Sequence, residues 1–266
     1  MDHSAQPFVA AGAEQLLGIE PVDFSAEHGQ LTMATGPWLL DPVAGVTRSP
    51  LGVALDDVTG YVVARGAPAG LWPVSLGIRL DFLADPPVDG SPLVVTGDLV
   101  HRNANSGTTR GCVTDAGGTP VALVTQRSHL VPFDGPFNTH AVSDEFFRGT
   151  MTLRDRLRMA HPESTDVLVM SPTPFSANGM GNVHGGVLIL GSELAAHDVV
   201  DSGGTFRTTS IDIAFVRPGD GSAETPFHAE VVHRGRTVAV VRVTARNAAG
   251  KPCSIATVTL QAVATE

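Results

Sequence analysis

Between residues 211 and 215, apolar Ile211, Ile213 and Phe215 alternate with Asp212 and Ala214. Successive side chains of a strand point to opposite faces, so this period of two predicts a strand with one buried face. The pattern changes upstream. Residues 184–200 carry "VLILGSELAAHDVV", which is apolar nearly all round. That predicts a helix wrapped by other elements rather than one lying on a surface. Residues 50–64 form a second helix-length apolar stretch. A predicted strand (residues 30–35 and 166–170) and a Gly/Pro/Asn-rich loop precede each helix, and three or four strands follow it. "DAGG" and "NAAGK" read as hairpin turns. One helix followed by a run of antiparallel strands, twice over, reads as α+β.

The two halves are copies. "GDLVHRNANSGTTRGCVTDAGGTPVALVT" starts at Gly97 and "AEVVHRGRTVAVVRVTARNAAGKPCSIAT" at Ala229, an ungapped offset of 229 − 97 = 132. Val100-His101-Arg102 falls on Val232-His233-Arg234, and Arg110, Gly118, Pro120 and Thr125 fall on identical residues. Upstream, "SLGIRLDFLADP" from Ser75 resembles "TTSIDIAFVRP" from Thr208, at an offset of 133. Two copies are too few for a solenoid, so a pseudo-symmetric pair is expected. We divide the chain into residues 1–135, a linker at 136–150, and residues 151–266.

Composition narrows the function. The 266 residues are 42% hydrophobic but only 5% aromatic, so aliphatic side chains must fill the core. A formal net charge of −10 argues against nucleic acid as a partner. Cys112 and Cys253 are too few for a disulfide framework or a cysteine-rich zinc site, and both read as small strand hydrophobes. No signal-peptide pattern and no apolar run of membrane-spanning length is seen, so a soluble cytoplasmic protein without a membrane partner is the expectation.

The chemistry concentrates in "NGMGNVHGGVLILGSE", Asn178 to Glu193. Gly185 and Gly186 open the apolar helix, where the first backbone N–H groups lack internal partners and the helix dipole is positive. Without side chains in the way, a carbonyl gathering negative charge can reach those donors. Glu193 lies two to three turns further on. A carboxylate in a buried helix is costly without partners, and it is out of reach of its own helix start. If it acts, it acts on something supplied by the other copy.

These residues resemble the hotdog-fold acyl-CoA thioesterases, in particular the phenylacetate-pathway and 4-hydroxybenzoyl-CoA branches. Asn178, His184, Gly185, Gly186, Glu193 and Arg217-Pro218 occur in the family's order across residues 165–265. The first half resembles the family only through the repeat. At an offset of 136, Arg48-Ser49-Pro50 replaces His184-Gly185-Gly186, Asp57 meets Glu193, and Pro42 takes the Asn178 position.

The resemblance implies two fused hotdog units, each a long helix wrapped by an antiparallel sheet, forming an intramolecular pseudo-dimer with sites between the units. One composite site would combine Asn178, His184 and Gly185 with Asp57 and Ser75. The other would combine Glu193 and Thr208 with the Arg48-Ser49-Pro50 loop, where proline removes a donor, so degeneracy is expected there. Whether Asp56 or Asp57 faces inward is a matter of register, and the alignment favours Asp57.

The implied activity is hydrolysis of an acyl-CoA. Gly185 N–H would polarise the carbonyl, Asp57 would activate water or attack, and Asn178 and Ser75 would orient the reactants. His184 would hold the loop. Gly186, Arg234 and Arg236 are candidate substrate contacts, the arginines for phosphate. No metal or other cofactor is implied, and a homodimer of the fused pair is allowed. The rival readings are a non-catalytic acyl-CoA binder and an enoyl-thioester hydratase, for which no paired His-Phe-Pro pattern is present.

Overall fold

The computed structural model describes residues 8–139, 151–163 and 167–263. In the first unit a short helix α1 (Gly12–Leu16) leads into strands β1 (Glu20–Phe24) and β2 (His28–Met33) and a small hairpin, β3 (Leu40–Asp41) with β4 (Gly45–Val46). The long helix α2 (Leu51–Arg65) follows, and then β5 (Leu71–Phe82), β6 (Leu93–Arg102), β7 (Ser106–Thr114) and β8 (Pro120–Pro132). The second unit has helix α3 (Leu153–Arg156), β9 (Met159–Ala160), β10 (Leu168–Met170) and helix α4 (Gly185–Val200). It ends in β11 (Phe206–Phe215), β12 (Thr225–Arg234), β13 (Val238–Arg246) and β14 (Pro252–Ala262). Both long helices match the periodicity to within a residue. Of the strand expected at 166–170, Asp166 lies outside the described residues, as do residues 140–150 of the expected linker.

All strands except β3 and β4 form one antiparallel sheet in the order β1-β2-β6-β7-β8-β5-β11-β14-β13-β12-β10-β9. Each unit contributes six consecutive strands, and β5 pairs with β11 at the join, with Ile78 opposite Ile213. This is the tandem hotdog: two long helices against one continuous twelve-stranded sheet. The duplication persists in its irregularities. Leu76 and Thr209 are skipped at equivalent bulges, 209 − 76 = 133, and Val100 and Val232 at another pair, 232 − 100 = 132. A bulge inserts one residue and turns the strand locally, so the two units bend at the same places.

The inward rows of the sheet bury Ile78, Leu80, Val95, Val113, Ile211, Ile213, Val241, Val243 and Val258 against the helices. α2 and α4 also pack on each other, and glycine permits the closeness. A Cβ on Gly186 would stand 2.4 Å from the Val53 Cα, and one on Gly52 would stand 3.1 Å from Ile189. This contact brings the start of α4 against the middle of α2. It therefore places the second unit's glycine pair beside the first unit's acids.

Candidate active site

A cavity of about 460 Å³ opens between the units, bordered by Asp56, Asp57, Ser75, Gln126, Asn178, His184 and Gly185 among others. Five of these are the residues assigned from the sequence to the first composite site, so the fold gathers that set in one place. Their geometry assigns them different jobs.

His184 is the N-cap of α4, with its Nδ1 accepting the Gly186 N–H at 2.9 Å. The Gly186 donor is thereby consumed inside the protein. The Gly185 N–H, one residue earlier, has no acceptor among the described residues and borders the cavity. A Cβ on Gly185 would lie 2.6 Å from Asp56 Oδ2 and 3.2 Å from the Phe215 ring. Asp56 therefore rests directly against the glycine, and any larger residue would displace it.

Asp56, on α2, is the acid that lies against Gly185. Its Oδ1 accepts from Ser75 Oγ at 2.7 Å and from Gln126 Nε2 at 3.0 Å, and Gln126 Nε2 is also 2.8 Å from Ser75 Oγ. Thr59, three residues along the helix from Asp56, donates its hydroxyl to Gln126 Oε1. That bond turns the Gln126 amide nitrogen toward the acid and the serine. Asp57, favoured by the alignment, points one helical step away, with Oδ1 3.2 Å from His184 Nε2 and Oδ2 buried without a partner. The assignment of the facing acid shifts by one residue for a reason visible in the other interface. Asp56 abuts Gly185 as Glu193 abuts Arg48, and both pairs are offset by 137 (193 − 56; 185 − 48) rather than 136.

Behind Asp57 lies a buried cluster of Glu14, from α1, with Asp57 and His184, whose ligand-type atoms are all within 4.8 Å of one another. Burial and the neighbouring Asp57 charge push the Glu14 carboxyl up to about 8. Burial also raises Asp57, against the opposing pull of His184. For His184 burial disfavours a second proton, while Asp57, Glu14 and Asp56 favour it more strongly. That second proton would have to sit on Nδ1, where it would meet the Gly186 N–H. The hydrogen-bond geometry thus fixes the neutral Nε2–H tautomer, donating to Asp57, and leaves the cluster's extra proton on the acids. The same geometry argues against a metal here, because a cation on Nε2 would require a proton on Nδ1.

Asn178 uses its side-chain oxygen to accept the Met180 and Asn182 N–H groups, closing the loop before α4. Only its amide nitrogen remains to meet a ligand.

The residues of the second composite site are also brought together, but without an opening to this cavity. Glu193 is fully buried and accepts from the Arg48 N–H at 3.1 Å, the Ser49 N–H at 3.0 Å and Ser49 Oγ at 2.5 Å. Thr208 is buried with its hydroxyl 3.1 Å from His197 Nε2, and its carbonyl accepts from Arg48. Glu193 therefore staples α4 to the start of α2. Arg234 and Arg236 do not border the cavity. Through the pairings Arg234–Ala239, Ala239–Leu260 and Leu260–Thr208 they sit at the Thr208 end of the sheet. Ser75 is at the opposite end of the β5–β11 pair. Among the described residues, Arg217, in the segment after β11, is the arginine that borders the cavity.

Gln126, Thr59 and Glu14 were not picked out from the sequence. A signal for Gln126 exists in the duplication. Inward positions Gln126 and Ser128 correspond to Val258 and Leu260, at an offset of 132, so the copies exchange polar for apolar residues on a buried face.

Residues 173–261 match the family model described as acyl-CoA thioesterase N-terminal domain. No curated protein gives a significant match. Solved structures share the architecture over nearly the whole chain. A tesB protein of Mycobacterium avium subspecies paratuberculosis superposes with a TM-score of 0.63 at 11% identity, covering 96% of this chain and 100% of that one. An acyl-ACP thioesterase of Bacteroides thetaiotaomicron gives 0.58 at 13% identity, covering 88% and 98%. The 12:0-ACP thioesterase of Umbellularia californica gives 0.58 at 11% identity, covering 89% and 94%. At these identities the likeness speaks for the fold. Among the described residues no helix is long and apolar enough to cross a membrane.

Proposed function

We propose that this tandem hotdog, whose residues 173–261 match the acyl-CoA thioesterase model, hydrolyses an acyl thioester at the open cavity between its units. The observation that carries the reading is the placement of the Asp56 carboxylate of one unit against Gly185 at the helix start of the other, whose N–H has no acceptor among the described residues. An acid able to take a proton and a donor able to hold an oxyanion face the same space.

In this reading the thioester carbonyl oxygen points at the Gly185 N–H, at the positive end of α4. Ser75 and Gln126 hold a water beside Asp56. Asp56 takes a proton from that water as its oxygen attacks the carbonyl carbon, and the tetrahedral oxyanion is stabilised by the Gly185 N–H. The C–S bond then breaks, and Asp56 returns the proton to the departing thiolate. The free acid and the thiol are the products, and no further reactant is needed. Arg217 at the mouth suits a phosphate-bearing leaving group such as CoA.

The test is thiol release from a panel of acyl-CoA substrates by the wild type, Asp56→Asn, Asp57→Asn and Glu193→Gln, with thermal melts to check folding. Asp56→Asn should lower kcat by ~100-fold or more, the scale of losing a positioned base, while folded Glu193→Gln retains turnover. Wild-type rates in Asp56→Asn would refute the assignment. Saturable acyl-CoA binding without thiol release by the wild type would make the protein a binder.

A further inference from the structure

The cavity has two unlike ends. Toward solvent it is bordered by Leu76, Val216, Arg217 and Pro218, with Leu76 49% and Val216 46% exposed. Toward the other end it is bordered by Val9 and Tyr61, which are 7% and 6% exposed, with the half-buried Trp72, Val131 and Phe137 around them. A hydrophilic leaving group must stay with the first end, and an apolar acyl chain gains most by occupying the second.

The inner end is built from pieces outside the hotdog framework. Val9 belongs to the segment before α1 and is fixed by its N–H donating to Tyr61 Oη at 2.8 Å. Phe137 belongs to the segment after β8, and the Asn138 N–H donates to the Gly179 carbonyl at 2.7 Å. Both segments converge on the loop of the second unit. A Cβ on Gly179 would meet Phe137 at 3.0 Å and Val9 at 3.1 Å. The rings interlock, with Tyr61 edge-on to Trp72 at 5.5 Å, Trp72 tilted on Phe137 at 4.6 Å, and Phe137 on Phe133 at 4.9 Å. Such contacts hold each ring in place beyond the area they bury.

We propose that Val9, Trp72 and Phe137 form the end wall of the acyl pocket, so that the two segments flanking the first unit set a ceiling on acyl length. The proposal rests on the thioesterase reading above and names its substrate class as acyl thioesters of limited length. The cavity of about 460 Å³ is closed by this wall, so an acyl chain longer than the space between the wall and Gly185 has no apolar room left to occupy.

The test compares wild type, Phe137→Ala and Phe133→Ala on straight-chain acyl-CoA substrates of four to sixteen carbons. Phe133 stacks on Phe137 without bordering the cavity, so its truncation is the control. Wild-type kcat/KM should fall steeply at one chain length within this series. Phe137→Ala should raise kcat/KM for the fourteen-carbon substrate at least ~10-fold relative to the six-carbon one, within the range that a few methylenes contribute in an apolar pocket. Coincident profiles for the wild type and Phe137→Ala would overturn the wall. Should Phe137→Ala not fold, Phe137→Trp fills the end instead and must shorten the accepted chain, and an unchanged profile again overturns the proposal. A second arm titrates straight-chain fatty acids into the same proteins by calorimetry. If no substrate is hydrolysed yet Phe137→Ala moves the binding cutoff to longer acids, the wall stands and the hydrolytic reading fails.

Discussion

Replacing Glu14 by Gln should make the protein markedly more stable at alkaline pH and change it little near pH 5. Glu14 is 3% exposed, its Oε2 has no partner, and its nearest charges include Asp57. Burial first, and Asp57 second, raise its carboxyl from 4.5 to about 8 in the folded chain. Between those values the folded state binds one more proton than the unfolded state, so stability falls as pH rises through the window and the loss is complete above the folded pKa. From pH 5 to pH 9 the accumulated cost is on the order of 4 kcal/mol. For a chain of this size that corresponds to roughly 10 °C in Tm. Gln keeps the shape of the side chain, but it cannot ionise. Thermal melts of both proteins from pH 5 to 9 should diverge, with Glu14→Gln the more stable at the high end. Parallel curves would show that Glu14 does not hold its proton in the folded state, and the reading of a shared proton behind His184 would be wrong.

Thr59→Val should lower kcat about 10-fold by releasing the Gln126 amide from its fixed orientation, with Thr59→Ser restoring it; steady-state thiol release checks this, and equal rates in all three would remove Thr59 from the positioning of Gln126. Gly191→Ala should cost roughly 1–3 kcal/mol in urea unfolding, because its Cβ would stand 2.3 Å from the Phe227 ring; an unchanged midpoint would mean that α4 and β12 part more easily than their packing implies.

The fold was legible because its signals are local and repeated. Period-two strands and two largely apolar helix-length runs are written directly in the chain, and the copies match each other down to the bulges at Val100 and Val232. The short pieces were not legible. α1, with five residues, and β9, with two, are too brief to carry a period. Yet α1 delivers Glu14 to the buried cluster. The candidate site was half legible. Asn178, His184 and Gly185 announce themselves as a helix start, whereas the choice between Asp56 and Asp57 depends on how far one helix is slid and turned against the other. Strand offsets of 132 and 133 do not fix that rotation, because the loops before the helices are free to absorb a residue. Arg234 and Arg236 show the converse limit. A basic hairpin is easy to recognise, but which end of the sheet it reaches follows from pairings that sequence does not display.

The join between β5 and β11 has a consequence for how each half can drift. A protein assembled from two separate identical chains must keep every functional group in its one gene, since each chain serves on both sides. Here the halves are covalently tied, so each sees the other at a fixed local concentration that dilution cannot change. Each can then abandon one side of the work. The first copy has given up the glycine pair and kept the acid, while the second has kept the glycine pair and turned its acid into a staple. The chain is built as a heterodimer whose two halves dilution cannot separate.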